Sequence, residues 1–321
     1  MKRRVAPPAG KIELAPLSNK PEEVHVFEDE SVWALNAALA ARRPVLIRGE
    51  PGVGKSQLAR AAAAKEVLNC PLVSFVVDSS TESRDLLWTF DAVKRLAEAQ
   101  ISGALKETEE QVRTRLDPER FFHPGPLWWA FDWSSADDQA QLVGDATPLA
   151  PSDWQPGDGC VVLIDEIDKA ESDVPNGLLE ALGAGVFHPR GRRERIEIQG
   201  EPPLVVITTN EERVLPDAFV RRCLVLDMAL PPDAETLKPF LIERGRAHLG
   251  DLTNDEVLAL AADMLVKDRF GTHSTPRPGQ AEYLDLIRAV VELCPGDYAE
   301  QQKTLGRVSN FVLNKHASAS T

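Results

Sequence analysis

Residues 49–56 combine glycines, a lysine and a serine at a spacing that suits phosphate binding. Their pattern is G-x-x-x-x-G-K-S, and it stands between the mostly apolar run 45–48 and the helix-forming run 57–66. Glycines let backbone amides approach phosphate oxygens, and the helix that follows points its first amides at the anion. Lys55 supplies a positive charge for the β- and γ-phosphates, and the Ser56 hydroxyl suits Mg²⁺. The sequence therefore predicts a phosphate-binding P-loop formed by Gly49, Glu50, Pro51, Gly52, Val53, Gly54, Lys55, Ser56 and Gln57.

Two adjacent carboxylates, Asp165 and Glu166, form the second candidate site. They follow the apolar run 160–164, which has the character of a strand buried on both faces. In open α/β sheets, ligands bind at the carboxyl ends of the strands, where these residues would lie. Asp165 is predicted to hold Mg²⁺ together with Ser56, and Glu166 to act as general base for an attacking water. A solvated turn is the alternative interpretation of two adjacent acidic residues.

Strands that alternate with helices are needed to position these two sites. Short apolar runs predict five strands, at 44–48, 72–77, 160–164, 204–208 and 223–227. Helical patterns lie between them at 28–41, 56–66, 85–106 and 173–183, with a helical turn at 216–222 and a charged hairpin at 191–200. The segment 121–159 is rich in proline, glycine and tryptophan, and it is interpreted as an insertion of turns and short strands. Alternation of this kind indicates an α/β core with a parallel sheet.

A change of pattern at Pro231-Pro232 predicts a second domain. After these prolines the helical patterns 234–249, 254–267, 279–292 and 298–312 follow one another without a comparable strand. We therefore divide the chain into an irregular N-terminal arm at 1–22, an α/β core at 23–230 and a small helical domain at 231–321.

Charge and cysteine content restrict the functions that the chain can have. The formal net charge is −14 and the calculated pI is about 5.0, which disfavours non-specific binding to nucleic acid or to an anionic membrane. The four cysteines are far apart in the sequence and lack metal-ligand spacing. No run approaches the 18 apolar residues of a membrane span. These features predict a cytoplasmic protein with free thiols.

Five sequence elements follow one another in a fixed order along the chain. The segment Asp165-Glu166-Ile167-Asp168-Lys169-Ala170, followed by Leu178-Leu179-Glu180-Ala181-Leu182, is similar to the Walker B region of the AAA+ ATPases of the MoxR family. The other elements are Gly125-Pro126-Leu127, the sensor 1 segment Thr208-Thr209-Asn210, the arginine-finger segment 215–222 and the sensor 2 segment Ser274-Thr275-Pro276-Arg277. The P-loop is shared by many proteins, whereas this ordered set is specific. The resemblance extends over about residues 28–290.

The resemblance implies a fold, a reaction and further site residues. The fold would be a P-loop NTPase three-layer α/β/α core with a parallel five-stranded sheet, followed by a small all-helical AAA+ lid. The reaction would be hydrolysis of ATP with Mg²⁺. Asn210 would contact the lytic water or the γ-phosphate, although a turn-forming role is its alternative. Arg222 would be the arginine finger, with Arg221 as the alternative, and Arg277 would reach the phosphates from the lid.

An arginine finger acts on the nucleotide of a neighbouring subunit, so a monomer would lack a complete site. The sequence therefore predicts a homo-oligomer, and the resemblance implies a hexameric ring. MoxR-like proteins resemble chaperones that remodel or mature a client protein, often with a partner that carries a von Willebrand factor A-type domain. Two other functions stay open: a motor acting on nucleic acid, which the acidic pI disfavours, and a nucleotide-gated scaffold of a signalling or defence assembly.

Two surface features carry hypotheses about partners. Trp128, Trp129, Trp133 and Trp154 of the insertion would form a binding patch if they were exposed. The arginines of the hairpin would line a pore or a subunit boundary, or would simply be solvated; these are Arg190, Arg192, Arg193 and Arg195.

Overall fold

Short strands form one five-stranded sheet and three two-stranded sheets among the described residues. The computed structural model describes residues 4–8, 11–14, 23–105, 107–171, 173–271 and 277–313. Its strands are β1 (Lys11–Leu14), β2 (Glu23–Val26), β3 (Val45–Arg48), β4 (Leu72–Val76), β5 (Trp88–Phe90), β6 (Phe122–Pro124), β7 (Val161–Asp165), β8 (Val186–Phe187), β9 (Ile196–Glu197), β10 (Leu204–Thr209) and β11 (Leu224–Asp227).

The helices fall between these strands and then dominate the end of the chain. They are α1 (Asp29–Ala41), α2 (Lys55–Ala63), α3 (Ala92–Leu105), α4 (Glu109–Arg115), α5 (Pro126–Phe131), α6 (Trp133–Val143), α7 (Asp173–Ala184), α8 (Asp217–Val220), α9 (Ala234–Leu249), α10 (Asp255–Gly271), α11 (Gln280–Leu293) and α12 (Tyr298–Val312). Short 3₁₀ turns occur at Ser83–Leu86, Pro118–Phe121 and Ile167–Lys169. None of the helices among these residues has the length and apolar character needed to cross a bilayer.

Five strands form one sheet, in the spatial order β11, β3, β10, β7, β4. The ladders of β7 with β10 and of β7 with β4 are parallel, with Val161 opposite both Leu204 and Leu72. Strands β7 and β10 are buried along nearly their whole length, as their valine- and isoleucine-rich sequences require. The carboxyl ends of these strands therefore meet at one edge of the sheet. The parallel five-stranded α/β core and the helical C-terminal region that the sequence predicts are confirmed.

Contacts divide the chain into two units, and each unit consists of segments that are separated in the sequence. One unit contains Asp29–Ile47 and Ala62–Leu226, with the described residues up to Pro7. The other contains Pro8–Glu28, Arg48–Ala61 and Asp227–Thr321, as far as these ranges are described. The second unit therefore includes the P-loop as well as the C-terminal helices, whereas the sequence-based boundaries placed the P-loop with the core.

The start of the range 85–106, which we predicted to be helical, contains a short strand instead. Residues 88–90 form β5, which pairs antiparallel with β6 so that Phe90 stands opposite Phe122. The rings of these two residues lie 5.1 Å apart, centroid to centroid. Among the described residues of the predicted range, only Ala92–Leu105 is α-helical, and a 3₁₀ turn at Ser83–Leu86 precedes β5. The prediction was wrong here because a partner strand more than thirty residues away decides the conformation.

The segment 121–159 contains two helices, so its interpretation as turns and short strands was wrong. Pro126 stands in the first turn of α5, where a missing amide costs nothing. Asp132 caps α6 by accepting a hydrogen bond from the Ser135 amide at 3.0 Å, and Gly144 ends α6 in a left-handed conformation with φ 87°. These capping signals are present in the sequence but are masked by its proline and glycine content.

The four tryptophans of this segment belong to the core of the first unit. Trp128, Trp129, Trp133 and Trp154 are between 0% and 8% exposed. Trp133 lies 5.1 Å from Trp129 and 4.7 Å from Trp154, ring centroid to ring centroid. The guanidinium of Arg192 stacks on Trp128 at 4.4 Å. The hypothesis of an exposed aromatic patch is therefore wrong, because these side chains fill the interior.

The arm that we predicted to be irregular contains a strand. Strand β1 pairs antiparallel with β2, with Ile12 opposite His25. Arg244 of α9 donates to the carbonyl of Val26 at 3.0 Å and forms an ion pair with Glu28. The hairpin is thus attached to the C-terminal helices of the second unit, which have their own apolar core; its members include Leu237, Leu241, Val257, Leu265, Tyr283, Ile287 and Leu305.

A buried and a partly buried histidine of the second unit predict acid sensitivity. Burial, with Arg244 and His248 as positive neighbours, lowers the pKa of His25 from 6.5 to about 3. Burial, with Arg288 and Arg244 nearby, lowers the pKa of His248 from 6.5 to about 4. Between these values and 6.5 the unfolded chain binds more protons than the folded chain, so stability falls as the pH falls. We expect each histidine to lower the free energy of unfolding by about 1.4 kcal/mol per pH unit in that window.

Urea unfolding followed by circular dichroism at a series of pH values checks this expectation. Below pH ~6.5, the free energy of unfolding of the His25→Gln variant should fall less steeply with falling pH, by the contribution of about one proton. His188 is exposed, so His188→Gln serves as the control and should keep the full slope. An unchanged slope in His25→Gln would mean that His25 does not limit stability in acid.

Candidate functional site

The loop between β3 and α2 has the backbone that phosphate binding requires. Gly49, Gly52 and Gly54 have φ values of 149°, 81° and 96°, a region that only glycine adopts without strain. A Cβ on Gly49 would lie 2.1 Å from the carbonyl oxygen of Met228, and one on Gly52 would lie 2.7 Å from the Cβ of Ala281. Gly49 and Gly52 are therefore required both by their backbone angles and by close contacts within the second unit, and Gly54 is required by its backbone angle.

Lys55 is buried at the start of α2, with 7% of its surface exposed. Its Nζ donates hydrogen bonds to the carbonyl oxygens of Gly49 at 2.7 Å and of Glu50 at 2.9 Å. The ammonium is thus held across the loop that precedes it, and Ser56 follows as the second residue of the helix. A cation held inside a concave loop next to a helix N-terminus can bind a polyphosphate.

Asp165 and Glu166 lie at the end of β7, and Thr208 of β10 connects them. The Thr208 hydroxyl donates to the Asp165 carboxylate and accepts from the Glu166 amide at 2.9 Å. Glu166 has a left-handed backbone with φ 60°, which is uncommon for a residue with a side chain. Such strain is typical of functional sites, and here it turns the chain sharply after the strand.

The carboxylate of Glu166 is held by two neighbours. Its Oε2 lies 2.5 Å from Nζ of Lys169, and its Oε1 accepts a hydrogen bond from Nδ2 of Asn210 at 3.4 Å. The hydrogen bond to Glu166 also raises the pKa of Lys169. The structure therefore brings Asp165, Glu166 and Asn210 together at the edge of the sheet, as the parallel ladders require.

Asp168 fixes the segment that carries Asn210. This carboxylate is 2% exposed and accepts from the amides of Glu212 at 2.9 Å and of Asn210 at 3.4 Å. A buried carboxylate that accepts backbone amides makes strong hydrogen bonds. The turn after β7 and the turn after β10 are thereby joined into one rigid edge.

The two candidate arginine fingers, Arg221 and Arg222, are exposed and follow α8. Their backbone is bound by Arg43, which lies before β3. The Arg43 guanidinium donates to the carbonyl oxygens of Arg221, of Arg222 at 2.9 Å and of Cys223 at 3.2 Å. One side chain thus fixes three successive carbonyls, so the turn is rigid while both arginine side chains extend into solvent.

Arg277 is exposed and lies two residues before the N-cap of α11, in the same unit as the P-loop. The rest of the predicted sensor 2 segment, Ser274, Thr275 and Pro276, lies outside the described residues. The roles of Arg277, Arg222 and Asn210 stay predictions.

The residues that the sequence analysis missed are those that hold the predicted ones. Lys169 follows Glu166 by three positions, a spacing that could have been noticed, and Thr208 stands in a segment that we noticed for Asn210 alone. Asp168 lies within the quoted Walker B segment. Arg43 has no local signal, because its partners lie about 180 positions away in the chain.

The donor set of the predicted metal site fits nucleotide-bound Mg²⁺. Such an ion usually keeps several waters and takes phosphate oxygens and one or two carboxylates or hydroxyls. Ser56 has a hydroxyl and Asp165 a carboxylate of this kind, and their joint role as Mg²⁺ ligands stays a prediction.

Comparison with known proteins identifies the family of the chain. Residues 44–223 match the family described as AAA domain (dynein-related subfamily), which is more than half of the chain. No curated protein matches the sequence. Among the solved structures that match is a RuvB mutant of Thermotoga maritima, with 18% identity and a TM-score of 0.45, over 88% of this chain and 68% of that chain.

Proposed function

The chain belongs to the AAA domain family, dynein-related subfamily, and we propose that it hydrolyses ATP with Mg²⁺ to remodel a partner protein. The observation that carries the proposal is the carboxylate of Glu166, held between Lys169 and Asn210 beside Asp165. A strained, tightly held carboxylate at the carboxyl edge of a parallel sheet supports the proposal that Glu166 is the general base.

Phosphate binding is assigned to the loop Gly49 to Gln57. Lys55 would leave its two carbonyl partners and turn to the β- and γ-phosphates, which are stronger acceptors because they are charged. The loop glycines and the first amides of α2 would bind the remaining phosphate oxygens. Ser56 and Asp165 would hold Mg²⁺, which when bound would supply positive charge beside the phosphates.

Water activation is assigned to Glu166. Its carboxylate would accept a proton from the attacking water, and Asn210 would fix the orientation of that carboxylate through Oε1. Lys169 contacts the other carboxylate oxygen, Oε2, and would have to move away from it for water to reach that oxygen. Arg222 of one subunit would complete the site of its neighbour, so the active form would be a ring, which we propose to be hexameric.

The class of partner is proposed from the MoxR-like motifs. The segments 165–170 and 178–182 support a chaperone or maturation ATPase that acts on a client protein, with a von Willebrand factor A-type protein as the candidate partner. Because the four tryptophans of the insertion are buried, they do not offer an exposed aromatic surface to that client. The net charge of −14 weighs against a nucleic-acid motor. Salt-sensitive stimulation of ATP turnover by DNA would favour that motor instead.

Substitution of the loop lysine tests nucleotide binding directly. We expect Lys55→Ala to raise the Kd for ATP about 10- to 100-fold, because charged hydrogen bonds to the phosphates are lost. Binding of a fluorescent ATP analogue and release of phosphate, each with Mg²⁺ and with EDTA, are the measurements. The wild-type chain should release phosphate only with Mg²⁺.

The matched control is Lys65→Ala, which removes an exposed lysine shortly after α2. It should bind and hydrolyse ATP as the wild type does. Equal affinities of Lys55→Ala and the wild type would refute the assignment of the loop, and absence of ATP turnover by the wild type would favour a nucleotide-gated scaffold.

A further inference from the structure

A buried arginine of the second unit is paired with the P-loop. Arg269 lies near the end of α10 and its side chain is only 8% exposed. Its Nη2 lies 2.9 Å from each carboxylate oxygen of Glu50. Its Nη1 donates to the carbonyl oxygen of Pro278, also at 2.9 Å. The guanidinium therefore has partners on both the loop and the approach to α11.

Glu50 places a negative charge inside the loop that is proposed to bind phosphate. It follows Gly49 directly, and its carbonyl oxygen accepts one of the two hydrogen bonds from Lys55. A carboxylate at this position repels an incoming polyphosphate unless a positive charge compensates for it. Arg269 supplies that charge from a site where water is almost excluded.

The same arginine fixes the loop against the start of α11. Gly52 approaches Ala281 so closely that a Cβ would lie 2.7 Å from its methyl group. The Gly279 amide donates to Glu282 at 3.0 Å and so fixes the first turn of α11. Because Arg269 binds the Pro278 carbonyl beside this turn, the loop and the helix start are held together.

We infer that Arg269 is a positioning residue of the nucleotide site, which neutralises Glu50 and thereby sets the affinity of the loop for polyphosphates. The inference rests on the proposed function of the loop and goes beyond it. It assigns a nucleotide-binding effect to a side chain 219 positions away from the loop residue that it contacts.

Three variants separate charge neutralisation from packing. Arg269→Met leaves Glu50 uncompensated, and we expect the Kd for ATP to rise about ten-fold, since the side chain of Glu50 is half exposed and partly screened by water. The Kd for ADP should rise less, because ADP carries less negative charge. The double variant Arg269→Met/Glu50→Gln should return the Kd for ATP most of the way to the wild-type value.

The single variant Glu50→Gln tests the inference even if the loss of Arg269 impairs folding. Glu50 is half exposed, and its removal leaves the positive charge of Arg269 beside the loop. This variant should bind ATP more tightly than the wild type, and the gain should shrink as the salt concentration rises.

Arg246→Met is the matched control. It breaks a bidentate pair of the same type, in which Arg246 contacts Asp255 at 2.7 and 2.8 Å on the surface of the second unit. Titration of the full chain with a fluorescent ATP or ADP analogue is the measurement, with the melting temperature of each variant recorded. Arg246→Met should keep the wild-type Kd.

Several outcomes would overturn the inference. They are a wild-type Kd in Arg269→Met, no recovery in the double variant, or weaker ATP binding in Glu50→Gln. If the wild-type chain does not bind ATP at all, the proposed function fails first, so the two failures are distinguishable.

Discussion

Glu166→Gln is expected to lower ATP turnover by about 10²-fold or more while ATP still binds. Glutamine has nearly the same size and keeps an oxygen that can accept from Asn210, so the edge of the sheet should keep its geometry. It cannot accept a proton from water, however, and it cannot form the ion pair with Lys169. Turnover by phosphate release and affinity by analogue binding are the two measurements.

The control for Glu166→Gln is Glu171→Gln, five residues further along the chain. Glu171 is exposed, and its side chain forms a surface ion pair with Arg213 at 3.5 Å. It should retain wild-type turnover. If Glu166→Gln turns over ATP as fast as the wild type, this carboxylate is not the base and hydrolysis at this site is not the function. A trapped ATP-bound form would also serve to isolate the client protein.

Arg222→Ala is expected to lower turnover by about 10³-fold, while the affinity of each subunit for ATP stays close to that of the wild type. Arg222 is exposed on a turn that Arg43 holds rigid through three backbone carbonyls. A rigid turn that presents an exposed cationic side chain suits action on a nucleotide held by another subunit. Phosphate release at saturating ATP measures the loss.

A mixing experiment tests whether the finger acts between subunits. Arg222→Ala chains keep Glu166, and Glu166→Gln chains keep Arg222, so a mixed ring contains some complete sites. Mixing the two inactive variants should restore part of the turnover, and no recovery would contradict action in trans. The control is Arg221→Ala. If that variant loses turnover and Arg222→Ala does not, the assignment of the finger to Arg222 is wrong.

The sheet and the C-terminal helices could be predicted because their signals are local. Strands such as Val161–Asp165 are short apolar runs that end at polar residues, and α9 and α12 were predicted with their observed bounds. The region 85–143 could not be predicted in the same way. Strand β5 depends on pairing with β6, and α5 and α6 are helical despite breakers nearby, because buried aromatic side chains stabilise them.

The candidate site shows the same division between local and long-range information. The P-loop residues and the carboxylates Asp165 and Glu166 were predicted from residue types at fixed spacing. The partners that hold them were not, apart from Asn210. Thr208, 42 positions from Glu166, and Arg43, about 180 positions from Cys223, act through contacts that no local pattern indicates.

By itself, the sequence determined the α/β plan with its helical C-terminal region, and it predicts which residues bind phosphate and activate water. It could do so because glycine angles, strand alternation and motif spacing depend on neighbours along the chain. Only the tertiary structure decided that the tryptophans are buried, that Lys169 and Asn210 hold Glu166, and that Arg269 compensates for Glu50. These pairings depend on how distant segments pack, because a charge or an aromatic ring is stabilised by whatever group folding places beside it.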